Sequence, residues 1–490
     1  MKEYSGKASI KKNAFMNMLL TASSMLIPLI TFPYVSRVLQ PERLGRVSFI
    51  TSVVSYFLMF SELGIPTYGI RECARLREDK KALGKTVSEL FIINLIMSFI
   101  SLAAYTVCIY NVPRFSGDKR LCIIAGSAII FNCLGMEWLY KGLEEYSYIT
   151  VRSLLFKLIS LVFIFAAVKV PGDYRLYCAA TVISNYGSYI LNFFRTGKIT
   201  GGLSFKGLEI KKHIKPVLVF FSMSVATGIY LSLDTAMLGF MKGDAETGIY
   251  SAAVKIKLVL TAFVTSLGAV LFPRSAYLVK KGEYKEFADL SRRAMGMVVT
   301  AALPMAVFFM LFADEGIALL SGAEYADAVL PMRIIMPTLV LIGMSNITGI
   351  QFFMSLSMEK KVLISEIVGA FTDIVLNVIL IPKFGASGAA AGTLAAEIMV
   401  LLVQFFEIGR LSEDMRPSFW GELRPVLFLI ALFIASFSSL WVKVSNHGCL
   451  FKLLISAALF FGVYLAVLLA GGDKNLSEFY EFFKRVLKKG

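Results

Sequence analysis

Long apolar runs alternate with short charged segments along almost the whole chain. Many of these runs hold about 18 or more residues with few charges, the length at which an α-helix crosses the hydrocarbon core of a bilayer. The pattern predicts an all-α, polytopic membrane protein with about fourteen transmembrane helices. The predicted spans are 13–36, 45–65, 86–110, 120–140, 151–170, 174–194, 214–240, 248–272, 294–313, 327–357, 361–381, 386–408, 425–444 and 450–470.

The second half of the chain repeats features of the first. Three pairs of segments align in the same order: "RLGRVSFITS" (43–52) with "ETGIYSAAVK" (246–255), "LGM" (134–136) with "IGM" (342–344), and "ATVISNYGSYILNFFR" (180–195) with "GTLAAEIMVLLVQFFE" (392–407). An even number of spans in each repeat makes the two copies parallel. Repeated transporter halves hold their substrate where the halves meet.

The repeat divides the chain into four regions. We predict that residues 1–200 and 201–410 form two pseudo-symmetric six-helix bundles, and that residues 411–472 add two transmembrane helices. Residues 473–490 are predicted to be a cytoplasmic amphipathic tail on the membrane surface.

Composition agrees with this prediction and narrows the function. The mean hydropathy is +0.70, and only 17% of the residues are charged. The net charge of +16 comes from Lys and Arg residues concentrated in alternate loops. By the positive-inside rule this places both termini in the cytoplasm, and it requires no nucleic-acid partner. The outer loops are too short to fold into a catalytic domain, so we expect a transporter and not an enzyme.

Histidine is too scarce to support metal or triad chemistry. The chain contains two histidines, His213 and His447, and both fall in predicted loops. A histidine-based metal site or a Ser-His-Asp triad is therefore not expected. We expect no cofactor and no metal.

The segment "DTAMLGFMKGDAETGIYSAAVKIK" (234–257) places charges beside long apolar runs. Asp234 and Lys255 lie at similar distances before and after the predicted outer turn "MKGDAETG" (241–248), so they can meet across a helical hairpin. Lys257 faces another direction because it lies two positions further along the helix. A charge inside the bilayer costs about 2.5–3.5 kcal/mol and needs a partner or a wet cavity. These residues are either a structural ion pair or part of a cationic substrate cavity.

Other polar residues extend the candidate cavity. Arg37 ends the first predicted span, and its guanidinium suits phosphate oxygens. Glu366, Asp373 and Asn377 form a polar stripe on the eleventh span, which is a candidate site for a coupled ion. Three further charges near predicted membrane interfaces are expected to snorkel to the headgroups: Glu62, Lys157 and Arg333.

Three segments resemble those of a known family: "FPYVSRVLQPERLGRVSFITSVVSYFLMFSELGIPTYGIRECAR" (32–75), "DTAMLGFMKGDAETGIYSAAVKI" (234–256) and "FGASGAAAGTLAAEI" (384–398). They resemble the Wzx-type oligosaccharide flippases of polysaccharide biosynthesis, in the MATE-like MOP exporter superfamily. The resemblance implies a fold in which two six-helix bundles surround a central cavity. Arg37, Asp234 and Lys255 fall in the matching segments. This chain departs from the family's Leu-Gly-Pro-Glu turn, because Gln40 replaces the glycine.

The resemblance also implies a function. Such a protein moves a polyprenyl-diphosphate-linked oligosaccharide, such as an undecaprenyl-diphosphate-linked polysaccharide repeat unit, from the inner to the outer leaflet by alternating access. It would do so in the bacterial cytoplasmic membrane, with membrane lipids, H+ or Na+, and proteins of polysaccharide assembly as partners. The alternatives are a lipid II flippase, a MATE-type drug/cation antiporter and a membrane polymerase or ligase. The antiporter is disfavoured because residues 13–36 contain no acidic residue.

Overall fold

The computed structural model describes residues 10–203, 207–417, 425–443, 448–473 and 476, and in these ranges the chain forms helices and no β-strand. The first ten α-helices are α1 (Ile10–Glu62), α2 (Ile65–Arg75), α3 (Lys80–Asn111), α4 (Pro113–Ser116), α5 (Lys119–Gly135), α6 (Glu137–Gly142), α7 (Tyr146–Ala167), α8 (Tyr174–Val182), α9 (Tyr189–Thr200) and α10 (Lys211–Met241). The others are α11 (Asp244–Lys281), α12 (Tyr284–Leu311), α13 (Ala313–Leu320), α14 (Val329–Ile335), α15 (Thr338–Asn346), α16 (Glu359–Gly409), α17 (Pro425–Lys443) and α18 (Cys449–Ala470). Two π-helical turns, Ile183–Gly187 and Ile347–Phe353, interrupt the helical path after α8 and α15.

The ends of several helices follow from local sequence. Asp79 caps α3, because its side chain accepts hydrogen bonds from Lys81 N and Ala82 N, each at 3.0 Å. Asp118 caps α5 in the same way by accepting from Leu121 N at 3.1 Å. These aspartates fix where two of the long apolar helices begin.

The two longest helices are each broken at one residue. In α1 the break is at Gln40, which has a φ of 62° and directly precedes Pro41. The proline ring disfavours a helical conformation in the residue before it and supplies no N–H to the helix. In α16 the break is at Gly385, whose φ of 55° lies in the left-handed region that favours glycine. Both breaks coincide with turns that the sequence predicts between two spans.

The chain forms two compact units, Met1–Gly248 and Ile249–Gly490. In the first unit, α10 contacts both α1 and α2. An apolar cluster that includes Ile65, Leu90 and Trp138 fills this unit. These compact units and the predicted six-helix repeats are different divisions of the chain, and the repeats stay a prediction.

Aromatic side chains form much of the core of the second unit. Phe287 stacks on Phe352 with ring centroids 5.0 Å apart, which joins α12 to the π-helical turn after α15. Phe308 packs against Phe460 at 5.4 Å, and the two rings belong to the cluster that attaches α17 and α18 to α12. Such pairs add about 0.5–1.5 kcal/mol each beyond the area that they bury.

Apolar side chains also cover much of the outer surface. On α17 the exposed fractions of Phe433, Phe437 and Trp441 are 73%, 74% and 83%. These residues recur at helical spacing, so they form a stripe that suits lipid and not water.

The chain is a multi-pass membrane protein. In the described ranges nine helices are long and apolar enough to span a membrane, and a pair bent by 43°, Ala323–Ile335 with Thr338–Phe353, makes a tenth when it is counted as one span. The number fourteen stays a prediction, and the predicted tail 473–490 lies almost wholly outside the described residues.

Candidate functional site

Arg37 lies in the last turn of α1 before the break at Gln40. Its side chain is exposed, and Nη1 donates a hydrogen bond to the carbonyl oxygen of Pro33 at 2.5 Å. Two residues further along the chain, Leu39 is fully buried and anchors the end of this helical segment. The sequence thus places a permanent cation on a rigid helix end, where its fork of N–H groups can bind an anion.

Asp234, Lys255 and Lys257 lie on either side of the predicted turn. α10 ends at Met241 and α11 begins at Asp244, so the turn consists of Lys242 and Gly243, and Gly243 has a φ of 99°. Asp234 is buried in the first unit, and the two lysines are partly buried in the second. The pairing of Asp234 with Lys255 across the hairpin stays a prediction.

The predicted polar stripe on α16 belongs to the second unit. Asp373 and Asn377 are buried, whereas Glu366 is partly exposed. Both buried residues face Gly392 beyond the break of α16, because a Cβ there would overlap Asn377 Oδ1 and lie 3.2 Å from Asp373 Oδ1. Thr393 follows, and its hydroxyl is 3.1 Å from Tyr250 OH. The break therefore brings carboxylate, amide and hydroxyl oxygens close together, the ligand types that suit a hard cation or a proton.

A carboxylate with two arginines lies beside the turn between α10 and α11. Asp244 Oδ2 accepts a hydrogen bond from Arg46 Nε at 2.6 Å, and Oδ1 accepts one from Arg114 Nη2 at 2.5 Å. Arg114 Nε also donates to the carbonyl oxygen of Gly239 at 2.7 Å, and its guanidinium lies 4.8 Å from the centroid of the Phe49 ring. We call Asp244, Arg46 and Arg114 the Asp244 clamp. It ties the start of α11 to α1 and α4.

Two glycines allow the backbones at the clamp to touch. A Cβ on Gly45 would overlap the carbonyl oxygen of Asp244, and a Cβ on Gly248 would overlap that of Pro41. These are the glycines that the repeat alignment matches with each other. The backbone of α1 around Gly45 and the first turn of α11 are therefore in direct contact within the first unit.

A second network surrounds His213 in the first turn of α10. His213 Nε2 lies 2.7 Å from Glu89 Oε2, and Nδ1 lies 2.8 Å from Tyr68 OH. Glu89 Oε1 also accepts from Glu209 N at 2.8 Å. Lys85 binds Glu209, and this hydrogen bond and charge lower the pKa of the Glu209 carboxyl. The prediction that His213 lies in a loop is wrong, because the buried Glu89 carboxylate holds it against α3; His447 lies outside the described residues.

Each of the three charges expected to snorkel has a partner in the protein. Lys157 is buried on α7, where its Nζ donates to Ser24 Oγ at 2.5 Å and lies 3.2 Å from Ser23 Oγ. Arg333 Nη2 binds Asp314 Oδ2 at 2.6 Å. For Lys157 the snorkelling prediction is wrong, because two serine hydroxyls of α1 solvate the ammonium inside the bundle.

The sequence matches the profile of the family "Polysaccharide biosynthesis protein" over residues 10–279, more than half of the chain. The chain belongs to this family. The profile "Lipid II flippase MurJ" matches residues 198–461, an overlapping region that includes the polar stripe on α16. One relative is the "Putative O-antigen transporter" of Escherichia coli (strain K12), which is 23% identical over 416 residues, covering 83% of this chain and 98% of the relative.

Two solved structures share the fold of this polysaccharide biosynthesis family member. The structure "Lipid II flippase MurJ, inward closed conformation" matches with a TM-score of 0.74 and 14% identity, covering 97% of this chain and 99% of that chain. An inward-facing multidrug resistance MATE family transporter of the MOP superfamily matches with a TM-score of 0.58 and 16% identity, covering 80% of this chain and 97% of that chain. The predicted MATE-like fold is confirmed.

The two profiles together cover every predicted site residue of this family member. Arg37 falls in the first match, the stripe from Glu366 to Asn377 falls in the second, and Asp234, Lys255 and Lys257 fall in both. The sequence prediction missed the Asp244 clamp, because Arg46 and Asp244 sit at span ends where charges are ordinary. The aligned glycines of the repeat were the one signal that pointed to that contact.

Proposed function

We propose that this protein is a flippase that translocates a polyprenyl-diphosphate-linked oligosaccharide, a polysaccharide repeat unit, from the inner to the outer leaflet by alternating access. The observation that carries the proposal is family membership together with a relative, named as an O-antigen transporter, of which this chain covers 98%. The protein therefore moves its substrate and does not transform it chemically. We place it in the bacterial cytoplasmic membrane with both termini in the cytoplasm, as the distribution of Lys and Arg in the loops suggests.

Cations would bind the diphosphate of the lipid carrier. We assign this role to Arg37 and Lys255, with Lys257 as the alternative lysine and Asp234 as the acid that balances or releases the headgroup. The exposed guanidinium of Arg37 at a rigid helix end supports the assignment. The polyprenyl tail, of the undecaprenyl type, stays in the lipid. Because the cell interior is negative, export of a net charge of −2 is favourable by about 4.6 kcal/mol at 100 mV.

A coupled ion would reset the carrier. We assign H+ or Na+ to the oxygens around the break of α16, where Asp373 and Asn377 face Gly392 and Thr393. Glu366, which is partly exposed on the same helix, is the alternative carrier. Binding of an ion in the second unit would change the free-energy difference between the inward-open and outward-open states. Proteins of polysaccharide assembly would supply and remove the lipid-linked glycan.

A lipid II flippase is the second candidate. It is favoured by the match to the profile "Lipid II flippase MurJ" and by the structural likeness with a TM-score of 0.74. At 14% identity this likeness is evidence of a shared fold but not of a shared substrate. A drug/cation antiporter is a weaker candidate, because the first helix carries the cation Arg37 and its residues 13–36 include no acid.

Purified protein in vesicles separates these candidates. The outward transfer of fluorescent lipid-linked oligosaccharide is compared with that of lipid II and of a cationic dye. We expect rapid transfer of the lipid-linked oligosaccharide. Arg37→Ala and Lys255→Ala should each lower its transfer rate about tenfold or more, which is the effect of removing one charge-assisted hydrogen bond. Arg120→Ala is the matched control, because Arg120 is an exposed arginine at the start of α5. Transfer of lipid II alone would establish the second candidate, and unchanged transfer in both alanine variants would reject the assigned cations.

A further inference from the structure

The first unit contains a partly open cavity of about 140 Å³ that the transport mechanism above does not use. Its walls come from the end of α1, from α2, α3, α5 and α6, and from the start of α9. The polar residues of the lining are Glu62, Asn94, Asn132, Glu137 and Lys141. Two aromatic residues, Trp138 and Tyr189, also face it.

The lining includes planar carboxyl and amide groups. Asn132 Nδ2 donates a hydrogen bond to Glu62 Oε1 at 2.9 Å, and Asn94 Oδ1 accepts one from Ser98 Oγ at 3.3 Å. These contacts leave further donors and acceptors on both amides and on the Glu62 carboxylate, since a carboxylate accepts about four hydrogen bonds and an amide takes part in about four. Adjacent hydroxyl groups on a ligand can both donate and accept hydrogen bonds, so a pair of them can bind one amide or one carboxylate.

The charges around the cavity balance. Glu137 Oε1 lies 2.8 Å from Lys141 Nζ, and its Oε2 lies 3.4 Å from Nη2 of the buried Arg152. With Glu62, two carboxylates stand beside two cations. A bare cation would meet Lys141 and Arg152, and a phosphate would meet Glu62 and Glu137. A neutral ligand with many hydroxyl groups is repelled neither by the cations nor by the carboxylates.

Close packing against glycines fixes both aromatic rings. A Cβ on Gly69 would lie 2.7 Å from Trp138 Cε3, and a Cβ on Gly135 would lie 2.8 Å from Tyr189 Cε2. Trp138 is 6% exposed and lines the cavity. Rigid ring faces next to hydrogen-bonding groups suit a ligand with an apolar C–H face and a polar rim, which describes a sugar ring.

We propose that this cavity binds one monosaccharide unit of the glycan, in addition to the diphosphate site. A cavity of about 150 Å³ holds a bare six-membered ring, and this cavity is partly open, so the substituents of a sugar ring can extend out of it. Glu62, Asn94 and Asn132 bind the hydroxyl groups, and Trp138 packs against the ring. The site makes the protein selective for one sugar and rests on the proposed function for its role in transport.

Direct sugar binding can be measured without transport. In the full-length protein with Trp420→Phe and Trp441→Phe, Trp138 is the sole tryptophan and reports on the cavity. The probes are free glucose, galactose, mannose, rhamnose and N-acetylglucosamine. We expect at least one to change the emission saturably with a dissociation constant of about 1 mM, while sodium chloride and inorganic phosphate do not.

Two leucine variants of this protein test the lining. Asn132→Leu keeps the side-chain size and raises the dissociation constant about tenfold, as the loss of one or two hydrogen bonds does. Asn111→Leu is the matched control, because Asn111 is exposed at the end of α3. The proposal is overturned if none of the five sugars changes the emission, or if Asn132→Leu binds sugar as well as the parent.

Vesicles then separate this proposal from the proposed function. We expect Asn132→Leu to slow the transfer of lipid-linked oligosaccharide about tenfold relative to that of polyprenyl diphosphate without sugar. If the parent transfers neither lipid, the proposed function fails whatever the sugar titration gives. If the parent transfers both lipids and Asn132→Leu slows neither, the flippase function stands and the role of the cavity in transport is rejected.

Discussion

Asp244 accepts a hydrogen bond from Arg46 at 2.6 Å across 198 residues of sequence, and the same carboxylate also holds Arg114. The side chain of Asp244 is 5% exposed, while those of Arg46 and Arg114 are 24% and 28% exposed. Both guanidinium groups thus share one buried carboxylate as their short-range charge partner.

Asp244→Ala should lower the free energy of unfolding by about 3 kcal/mol. This is the lower end of the range for a broken buried ion pair, because both arginines are partly exposed. Thermal unfolding in detergent measures the loss. Glu42→Ala is the control, since Glu42 is 61% exposed and 3.8 Å from Arg46, and it should change stability by less than about 1 kcal/mol. Equal unfolding temperatures for Asp244→Ala and the parent would contradict the clamp.

Gly248→Ala tests the close approach of the backbones at the clamp. The added methyl group would overlap the carbonyl oxygen of Pro41, which cannot rotate away as a side chain would. We expect a loss of about 1–3 kcal/mol. Gly197→Ala in α9 is the matched control, because its methyl group enters open space and alanine favours a helix by up to about 1 kcal/mol. If the two variants have the same stability in detergent, the backbones are further apart than described.

Acid should weaken the cap of α5. Burial raises the pKa of the Asp118 carboxyl, but hydrogen bonds from Arg175, Tyr174 OH and Leu121 N outweigh it, so the folded-state pKa lies below the usual value. A lowered pKa contributes stability above the unfolded-state pKa of about 3.9, and this stability is lost as pH falls through the folded value.

The measurement for Asp118 is the unfolding temperature at a series of pH values. The parent should lose stability below about pH 4, and Asp118→Asn should lose less over the same range because it has no carboxyl to protonate. Asp173→Asn offers a comparison, since the hydrogen bonds to Asp173 from Lys169 N and Val170 N also lower its pKa, but on an exposed turn. If the unfolding temperatures of the parent and of Asp118→Asn fall in parallel with pH, Asp118 does not contribute to the acid sensitivity.

Sequence predicted the elements well because their causes are local. Apolar runs define the helices, and Pro41 explains why α1 breaks at Gln40. The turn before Asp244 follows equally from Gly243, whose φ is positive. The MATE-like fold followed from family resemblance and not from these patterns.

Sequence could not predict which polar groups meet. From sequence alone, Lys157 is predicted to snorkel. The structure shows that Ser23 and Ser24, far away in sequence, bind its ammonium group. His213 reads as a loop residue until Glu89 is placed beside it. Such pairs depend on helix rotation and contact, which hydropathy does not encode. Asp373 was recognised because its helical spacing from Asn377 is itself a local signal.

The oxygens around the break of α16 make a prediction about energy coupling. Asp373 and Asn377 are at most 1% exposed, and both pack closely against Gly392. If this group carries the ion, Asp373→Asn should abolish the stimulation of transfer by an imposed Na+ or pH gradient, because an amide cannot take up a proton and binds a cation more weakly. Gly392→Ala should have the same effect, because its methyl group would displace the Asn377 amide and crowd the Asp373 carboxylate while it keeps every polar group.

Glu366→Gln is the control that separates the two candidate carriers, because Glu366 lies seven residues before Asp373 on the same helix, about 10 Å away along its axis. Stimulation should survive in this variant. Transfer rates in vesicles, with each gradient imposed separately, give the result and identify the ion. If Glu366→Gln alone loses the stimulation, Glu366 at the partly exposed end of the stripe carries the ion. Asp373 and Asn377 would then serve only to pack the two segments of α16.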